Sequence, residues 1–354
     1  MTTHTVFFDE YTDDHHPIVG GKCASLGAMT IAGLPVPGGF AVTTHAFNIA
    51  VGRHGAGAEI WSYLADLDTS DMAALSAAGT ACRQAVRDHG MPTDVEAAIR
   101  SGYQELCDRI GQPDVPVAVR SSATAEDQPD ASFAGQQDTY LWIHGEDEVI
   151  NHVIRCWASL YTDRAIAYRY DQGYSSQDVS MAVAVQQMVE AEAAGVAFTL
   201  DPTNGDRSKV VIDSAFGLGE TVVSGSVTPD NFVVDKIVFE IVKRTISAKE
   251  EECIVADGGV VHRALSAERS VEPSITDANV KAVARLARQA EKHFGRPQDI
   301  EWAIVGDTIH LLQSRPETVW SNKPRPSVST GVTAGVGGIV NMLLNPVRIR
   351  EKSE

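Results

Sequence analysis

Three stretches of this sequence carry side chains of the kind that handle phosphate or a hard cation. The first is Arg120-Ser121-Ser122-Ala123-Thr124-Ala125-Glu126-Asp127, where the apolar run Val115 to Val119 delivers an arginine and three hydroxyls onto a polar loop. Downstream, Ser132 to Thr139 adds Gly135 and two glutamines. A guanidinium presents a rigid fork of donors to phosphate oxygens, and glycine lets backbone amides approach them. The competing use of Arg120 is an ion pair with Glu126 or Asp127. The second stretch is Glu301 with Gln313, Ser314 and Arg315. A carboxylate and an amide oxygen suit Mg²⁺, and an arginine two residues on can face the same anion. Alternation along a strand puts Gln313 and Arg315 on one face. Glu301 joins them only if a hairpin pairs 301 with 313, which favours a three-residue loop, Gly306-Asp307-Thr308, over a two-residue loop at Gly306-Asp307. The plainer reading is an edge hairpin with ordinary polar residues. The third stretch, Gly20-Gly21-Lys22, sets a cation at a helix start, where amides and the positive dipole end suit an anion. A solvated surface lysine is the alternative.

Weaker patterns fail on spacing. A P-loop would need glycine where His16 stands and Ser or Thr where Cys23 stands. Gly217-Leu218-Gly219 lacks the third glycine of a dinucleotide turn, since Val222 occupies it, and reads as a tight turn. Asp257-Gly258-Gly259 reads as a turn too.

The elements that must position these residues are mixed. Residues 20–33 run helically to Gly33, and 34–42 form a loop feeding a short strand. Residues 56–110 are Ala-rich, amphipathic helices broken near Gly90-Met91-Pro92, and 146–171 is helical. Strands are expected at Val183 to Met188, Gly195 to Leu200, Val210 to Ser214, Phe232 to Val234, Ile237 to Val242 and around Gly306-Asp307. Residues 277–294 form a helix with Thr276 as N-cap, Val280, Val283, Ala284 and Ala287 at helical spacing, and Gly295 as its stop. Helices and strands in two lobes without regular βαβ alternation predict an α+β fold.

Composition narrows the function classes. The 354 residues exceed one compact domain, and 44% hydrophobic content is ample for a core. A net charge of −18 argues against broad contact with nucleic acid or an anionic membrane. Five widely spaced cysteines without a CxxC pair indicate neither a zinc site nor a disulfide framework. With an acidic N-terminus and no apolar run near the roughly 18 residues of a span, a cytoplasmic protein is expected.

Taken in order, the motifs resemble the N-terminal ATP-binding domain of the phosphoenolpyruvate synthase, pyruvate phosphate dikinase and rifampin phosphotransferase superfamily. The resemblance runs from about Val19 to Glu317. It rests on Gly20-Gly21-Lys22-Cys23-Ala24-Ser25-Leu26-Gly27, Pro35-Val36-Pro37-Gly38-Gly39-Phe40 and Val119 to Asp127, then Ser132 to Thr139, Gly217-Leu218-Gly219-Glu220, and Glu301-Trp302 with Leu312-Gln313-Ser314-Arg315-Pro316. It implies an ATP-grasp fold of two lobes with the nucleotide between them: residues 1–185 with the phosphate loops, 186–320 with the adenine and Mg²⁺ site, and 321–354 as linker and tail. ATP and Mg²⁺ are the implied cofactors. Lys22 and Arg120 would hold phosphates, Gly135 and Thr139 would fold over them, and Gln186, Gln187, Met188 and Val189 would meet the adenine. Glu301 and Gln313 would carry Mg²⁺, and Arg315 would join Lys22 and Arg120 in stabilising the transferring group.

The family passes phosphate through a histidine on a swivelling domain. The nearest look-alike, Gly258-Gly259-Val260-Val261-His262, is one residue short and lies inside the ATP-grasp region, so it reads as a decoy. The resemblance therefore implies a histidine-carrying partner domain or subunit and a small-molecule acceptor such as a phenol, pyruvate or an antibiotic, as in phenylphosphate-synthase-like systems. A self-contained ATP-grasp ligase or kinase forming ADP is the alternative, and a non-catalytic nucleotide-binding module the third. The tail from 341, with Met342-Leu343-Leu344 and Val347-Arg348-Ile349, either docks a partner or is a truncated end.

Overall fold

The computed structural model describes residues 3–52, 55–123, 127–128, 131–132, 139–174, 179–256 and 258–320. Gly135 and the tail 321–354 lie outside them. The first half contains β1 (Thr5–Phe7), α1 (His16–Ile31), β2 (Gly39–Val42), α2 (Thr44–Ala50), α3 (Gly57–Leu64), α4 (Met72–His89), α5 (Thr93–Ile110) and β3 (Val117–Ala123). A short hairpin, β4 (Asp127–Gln128) and β5 (Ala131–Ser132), precedes β6 (Thr139–Ile143), α6 (Glu146–Ser159), α7 (Asp163–Asp171) and β7 (Met181–Gln187). The second half contains β8 (Ala193–Phe198), β9 (Lys209–Phe216), α8 (Glu220–Ser224), β10 (Asp230–Asp235), β11 (Ile241–Thr245), β12 (Glu251–Ala256), β13 (Gly259–Ala264), α9 (Ala267–Ser270), α10 (Asp277–Phe294), β14 (Gln298–Val305) and β15 (Thr308–Pro316).

Two sheets organise these elements, in the orders β1-β2-β7-β3-β6 and β11-β10-β9-β8-β14-β15, with every named strand pair antiparallel. This is the expected α+β class. Each face of the first sheet has its own core. Phe7, Phe40, Val42, Val117, Val119, Val183 and Val185 pack under the helical layer with Ile99, Val153 and Trp157. The residues alternating with them, Val6, Ala41 and Ala184, join Leu26 and Met29 of α1 and a second core that continues to α10. In the second sheet Ile300, Trp302 and Ile304 bury against Val280, Val283, Ala284 and Ala287 of α10. That helix follows its sequence signals: Thr276 Oγ1 accepts from Asn279 N–H, and Gly295 ends it at φ 67°.

Two expected elements are corrected. The helix expected from residue 20 begins at His16 and is interrupted at Gly20, whose φ is 70° and ψ 166°. The strand expected over Ile237 to Val242 begins only at Ile241. Ahead of it the Asp235 carboxylate accepts the N–H groups of Ile237 and Val238, making a turn that leaves both side chains exposed.

Candidate functional site

Arg120 sits in mid-strand on β3, where its neighbours are Thr139 of β6 and Ala184 of β7, while Ala118 stands opposite Gln186. Directly paired antiparallel residues project to one face, as do residues two apart. Thr139, Arg120 and Gln186 therefore share a face with the small side chains of Ala118 and Ala184. Those short neighbours leave the guanidinium room to reach across to the second sheet.

There the hairpin of β14 and β15 pairs Glu301 with Gln313 and Asp299 with Arg315. The expected 301–313 register holds, but the expected three-residue loop does not. Val305 pairs with Thr308 across the two-residue turn Gly306-Asp307, and the phase is corrected by a β-bulge, because Trp302 already pairs with Leu311. Leu312 is the extra residue. The bulge lets both Trp302 and Leu311 stay in the core while Gln313 and Arg315 turn to the face of Glu301.

The two sheets meet at Arg120. Its Nη2 donates to Glu301 Oε2 at 2.8 Å and to Gln313 Oε1 at 2.7 Å. Its Nη1 donates to the carbonyl of the bulged Leu312 at 3.1 Å and lies 3.5 Å from Gln186 Oε1. The carboxylate partner of Arg120 is thus Glu301. The side chains of Arg120 and Glu301 are 11% and 24% exposed. Two donors in this cluster, Arg120 Nε and Gln186 Nε2, are buried and find no hydrogen-bond partner among the described residues.

Lys22 reaches the same strand, with Nζ donating to Ser121 O at 2.5 Å. The break at Gly20 explains its position. A Cβ there would fall 2.3 Å from Ser122 O, so only glycine lets α1 touch β3. The Ser122 hydroxyl then donates to Val19 O and accepts from Cys23 N–H, capping the helix as it resumes around Lys22.

Arg315 stands two pairs further along, its Nε 2.8 Å from Asp299 Oδ2, and is about half exposed. Burial pushes the Asp299 carboxyl up, Arg315 opposes that shift, and Glu301 and Glu317 add to it. Asp299 was not among the expected site residues, although its place two residues before Glu301 on a strand is the signal that gives it the same face. At the end of β7, Gln187 N–H and Met188 N–H are committed to Gly38 O and Pro116 O. Met188 and Val189 pack with Leu312 against an apolar cluster of Ala191, Ala194, Leu218, Cys253 and Ala303.

The arrangement brings Lys22, Arg120, Thr139, Gln186, Glu301 and Gln313 to one region between the sheets, with Arg315 adjacent and Met188 and Val189 beside it. The Arg120 guanidinium meets two hard oxygen ligands, with the unpartnered Gln186 amide beside it and the Lys22 ammonium on the carbonyl of the next residue of β3, so the arrangement can hold an anion and a hard cation side by side.

The sequence matches the model for the AMP/ATP-binding domain of pyruvate phosphate dikinase over residues 16–333. A probable phosphoenolpyruvate synthase of Staphylothermus marinus is 43% identical over 344 residues, covering 89% of this chain and 41% of that protein. A rifampicin phosphotransferase of Streptomyces sviceus is 43% identical over 311 residues, covering 87% of this chain and 35% of that protein. A phosphoenolpyruvate synthase of Pyrococcus furiosus is 39% identical over 353 residues, covering 88% and 43%. The chain belongs to the pyruvate phosphate dikinase AMP/ATP-binding domain family, and it spans less than half the length of these relatives. No helix among the described residues is long and apolar enough to cross a membrane.

Proposed function

We propose that this chain binds ATP with Mg²⁺ between two ATP-grasp lobes, residues 1–185 and 186–320, and serves as the ATP-binding part of an AMP-forming phosphotransferase of the dikinase type. The observation that carries the proposal is the convergence of Arg120 from one sheet with Glu301 and Gln313 from the other, in a member of an AMP/ATP-binding family.

Lys22 and Arg120 take phosphate oxygens, with Gly135 and Thr139 over them. Gln186 supplies a side-chain donor to the adenine edge, while Gln187, Met188 and Val189 supply its backbone and apolar surroundings. The oxygens of Glu301 and Gln313 already converge on a positive group, Arg120 Nη2, which fits them to hold Mg²⁺. Bound there, Mg²⁺ would neutralise charge on the transferring phosphoryl group. As Arg120 turns to phosphate, it releases Glu301 and Gln313 as oxygen donors. Arg315 balances charge on the same group and holds Asp299 in place meanwhile. The β-phosphate then goes to a histidine on a partner domain or subunit, and from it to a small acceptor such as pyruvate, a phenol or an antibiotic. AMP and phosphate are released.

The test uses ATP labelled on the β-phosphate, Mg²⁺ and candidate acceptors, with and without a histidine-domain protein. Label reaches the acceptor with AMP released only when the partner is present. Acceptor phosphorylation by this chain alone, with ADP as product, would replace the proposal with a self-contained ligase or kinase.

A further inference from the structure

A second cluster of reactive side chains stands where the turn after β9 meets the β12–β13 hairpin. Glu220, Cys253 and His262 each offer one ligand atom, and the three atoms lie within 4.8 Å of one another. The polypeptide is pinned at this point. Leu218 N–H donates to Cys253 O at 2.7 Å, and Gly217 forms a parallel bridge with Cys253. A Cβ on Gly217, whose φ is 75°, would fall 2.1 Å from that carbonyl. The turn in Gly217-Leu218-Gly219 thus seats Glu220 against Cys253, and the pairing of Cys253 with His262 in the hairpin brings the imidazole alongside.

The contacts resemble a ligand set more than a simple ion pair. His262 Nε2 lies 3.0 Å from Glu220 Oε2, yet that buried oxygen has no hydrogen bond among the described residues. The two atoms are close without one pointing its proton at the other. The second ring nitrogen, Nδ1, lies 3.1 Å from Glu251 Oε1, which also accepts from Ser226 Oγ at 3.0 Å. A carboxylate on the far nitrogen is the usual arrangement behind a metal-ligating histidine, since it fixes the tautomer that leaves Nε2 free to coordinate.

We propose that Glu220, Cys253 and His262 bind one divalent cation of the zinc class, with Glu251 orienting His262 and water completing a four-coordinate shell. A thiolate, an imidazole and a carboxylate select a borderline-soft ion, whereas the oxygens of Glu301 and Gln313 suit a hard one. No CxxC spacing announces the site, because two of its three ligands are not cysteines. Binding exchanges the thiol proton for a metal–sulfur bond and releases that proton to solvent. Burial, with Glu220 beside it, pushes the free thiol up to about 12, so the incoming positive charge is what favours the thiolate.

The test is titration of the tag-free, reduced, EDTA-stripped chain with Co²⁺. One equivalent binds with a thiolate-to-cobalt charge-transfer band in the near ultraviolet, a proton is released, and Zn²⁺ bleaches the band while Mg²⁺ does not. Cobalt held at Glu301 and Gln313 would lack the band, so the outcome is independent of nucleotide binding. Cys253→Ser abolishes the band. Because Cys253 is buried, the partly exposed ligands provide the control for folding: Glu220→Gln and His262→Gln melt like wild type and bind about ten-fold or more weakly. Absence of the band in wild type, its survival in Cys253→Ser, or unchanged affinity in His262→Gln would overturn the proposal and leave a histidine–carboxylate ion pair.

Discussion

Two cation–carboxylate pairs in this molecule differ in how completely they are satisfied. Asp230 and Lys249 are both 0% exposed and 2.6 Å apart. Asp230 accepts further bonds from Ser247 N–H, Ser274 N–H and Ser274 Oγ, and Lys249 also donates to Ser247 O. Arg120 and Glu301 also join distant parts of the chain, but their cluster keeps two buried donors, Arg120 Nε and Gln186 Nε2, without an acceptor among the described residues. A pair in which every buried polar atom has a partner fixes one arrangement. A pair with donors to spare can exchange partners, which suits the second to the proposed role as a binding site and the first to that of a fastener.

The sharpest way to break the comparison is Asp230→Ala, which strands a buried ammonium and is expected to cost about 3–5 kcal/mol in urea denaturation. Asp230→Leu combined with Lys249→Met should be less damaging than either single change. Arg120→Ala should give the reverse balance. ATP–Mg²⁺ affinity by calorimetry falls roughly 10- to 100-fold, the size of a lost charged hydrogen bond, while stability without ligand falls by about 1–3 kcal/mol, less than for Asp230→Ala. Equal loss of stability from Arg120→Ala and Asp230→Ala would erase the distinction. Lys22→Ala should reduce the ATP–Mg²⁺ thermal shift less than Arg120→Ala, since it removes one point charge and no fork.

The smallest effect concerns an acid paired with no cation among the described residues. Burial pushes the Asp213 carboxyl up, against an opposing hydrogen bond from Asn231 Nδ2. Its folded-state value lies above the unfolded one, so it contributes stability in acid that is lost as pH rises through the folded value. Asp213→Asn keeps an acceptor for Asn231 and removes the charge. The variant should melt higher than wild type near neutral pH, and the difference should vanish in acid.

Much of this was legible in local sequence. Thr276 and Gly295 bracket α10 because capping is read within a few residues, whereas the 301–313 pairing expected from a three-residue loop is met instead through the Leu312 bulge and a two-residue turn. Partnership across the fold was not. Arg120 had acids six and seven residues downstream, yet its partner is 181 residues away, brought in by sheet packing that no window contains. Ile237 and Val238 look like strand residues until Asp235 captures their N–H groups. The β12–β13 hairpin went unread because its turn, noted at Asp257-Gly258-Gly259, was not joined to strands on either side.

The bulge at Leu312 also divides the β14–β15 hairpin into two stretches of opposite parity. Between Trp302 and Leu311 the strands keep one bookkeeping of inside and outside; from Glu301 and Gln313 outward they keep another. Removing the single residue Leu312 would seat Gln313 directly after Leu311, keep the pairs of Trp302 with Leu311, Glu301 with Gln313 and Asp299 with Arg315 as one regular ladder, and take away the bulged carbonyl that accepts from Arg120 Nη1. Lengthening the Gly306-Asp307 turn keeps that carbonyl as well as the pairs, because the change stops at the tip. The tip is therefore where this hairpin can accept an inserted label or a new chain end, and the bulge is where the loss of one residue takes a backbone acceptor from the contact between the two sheets.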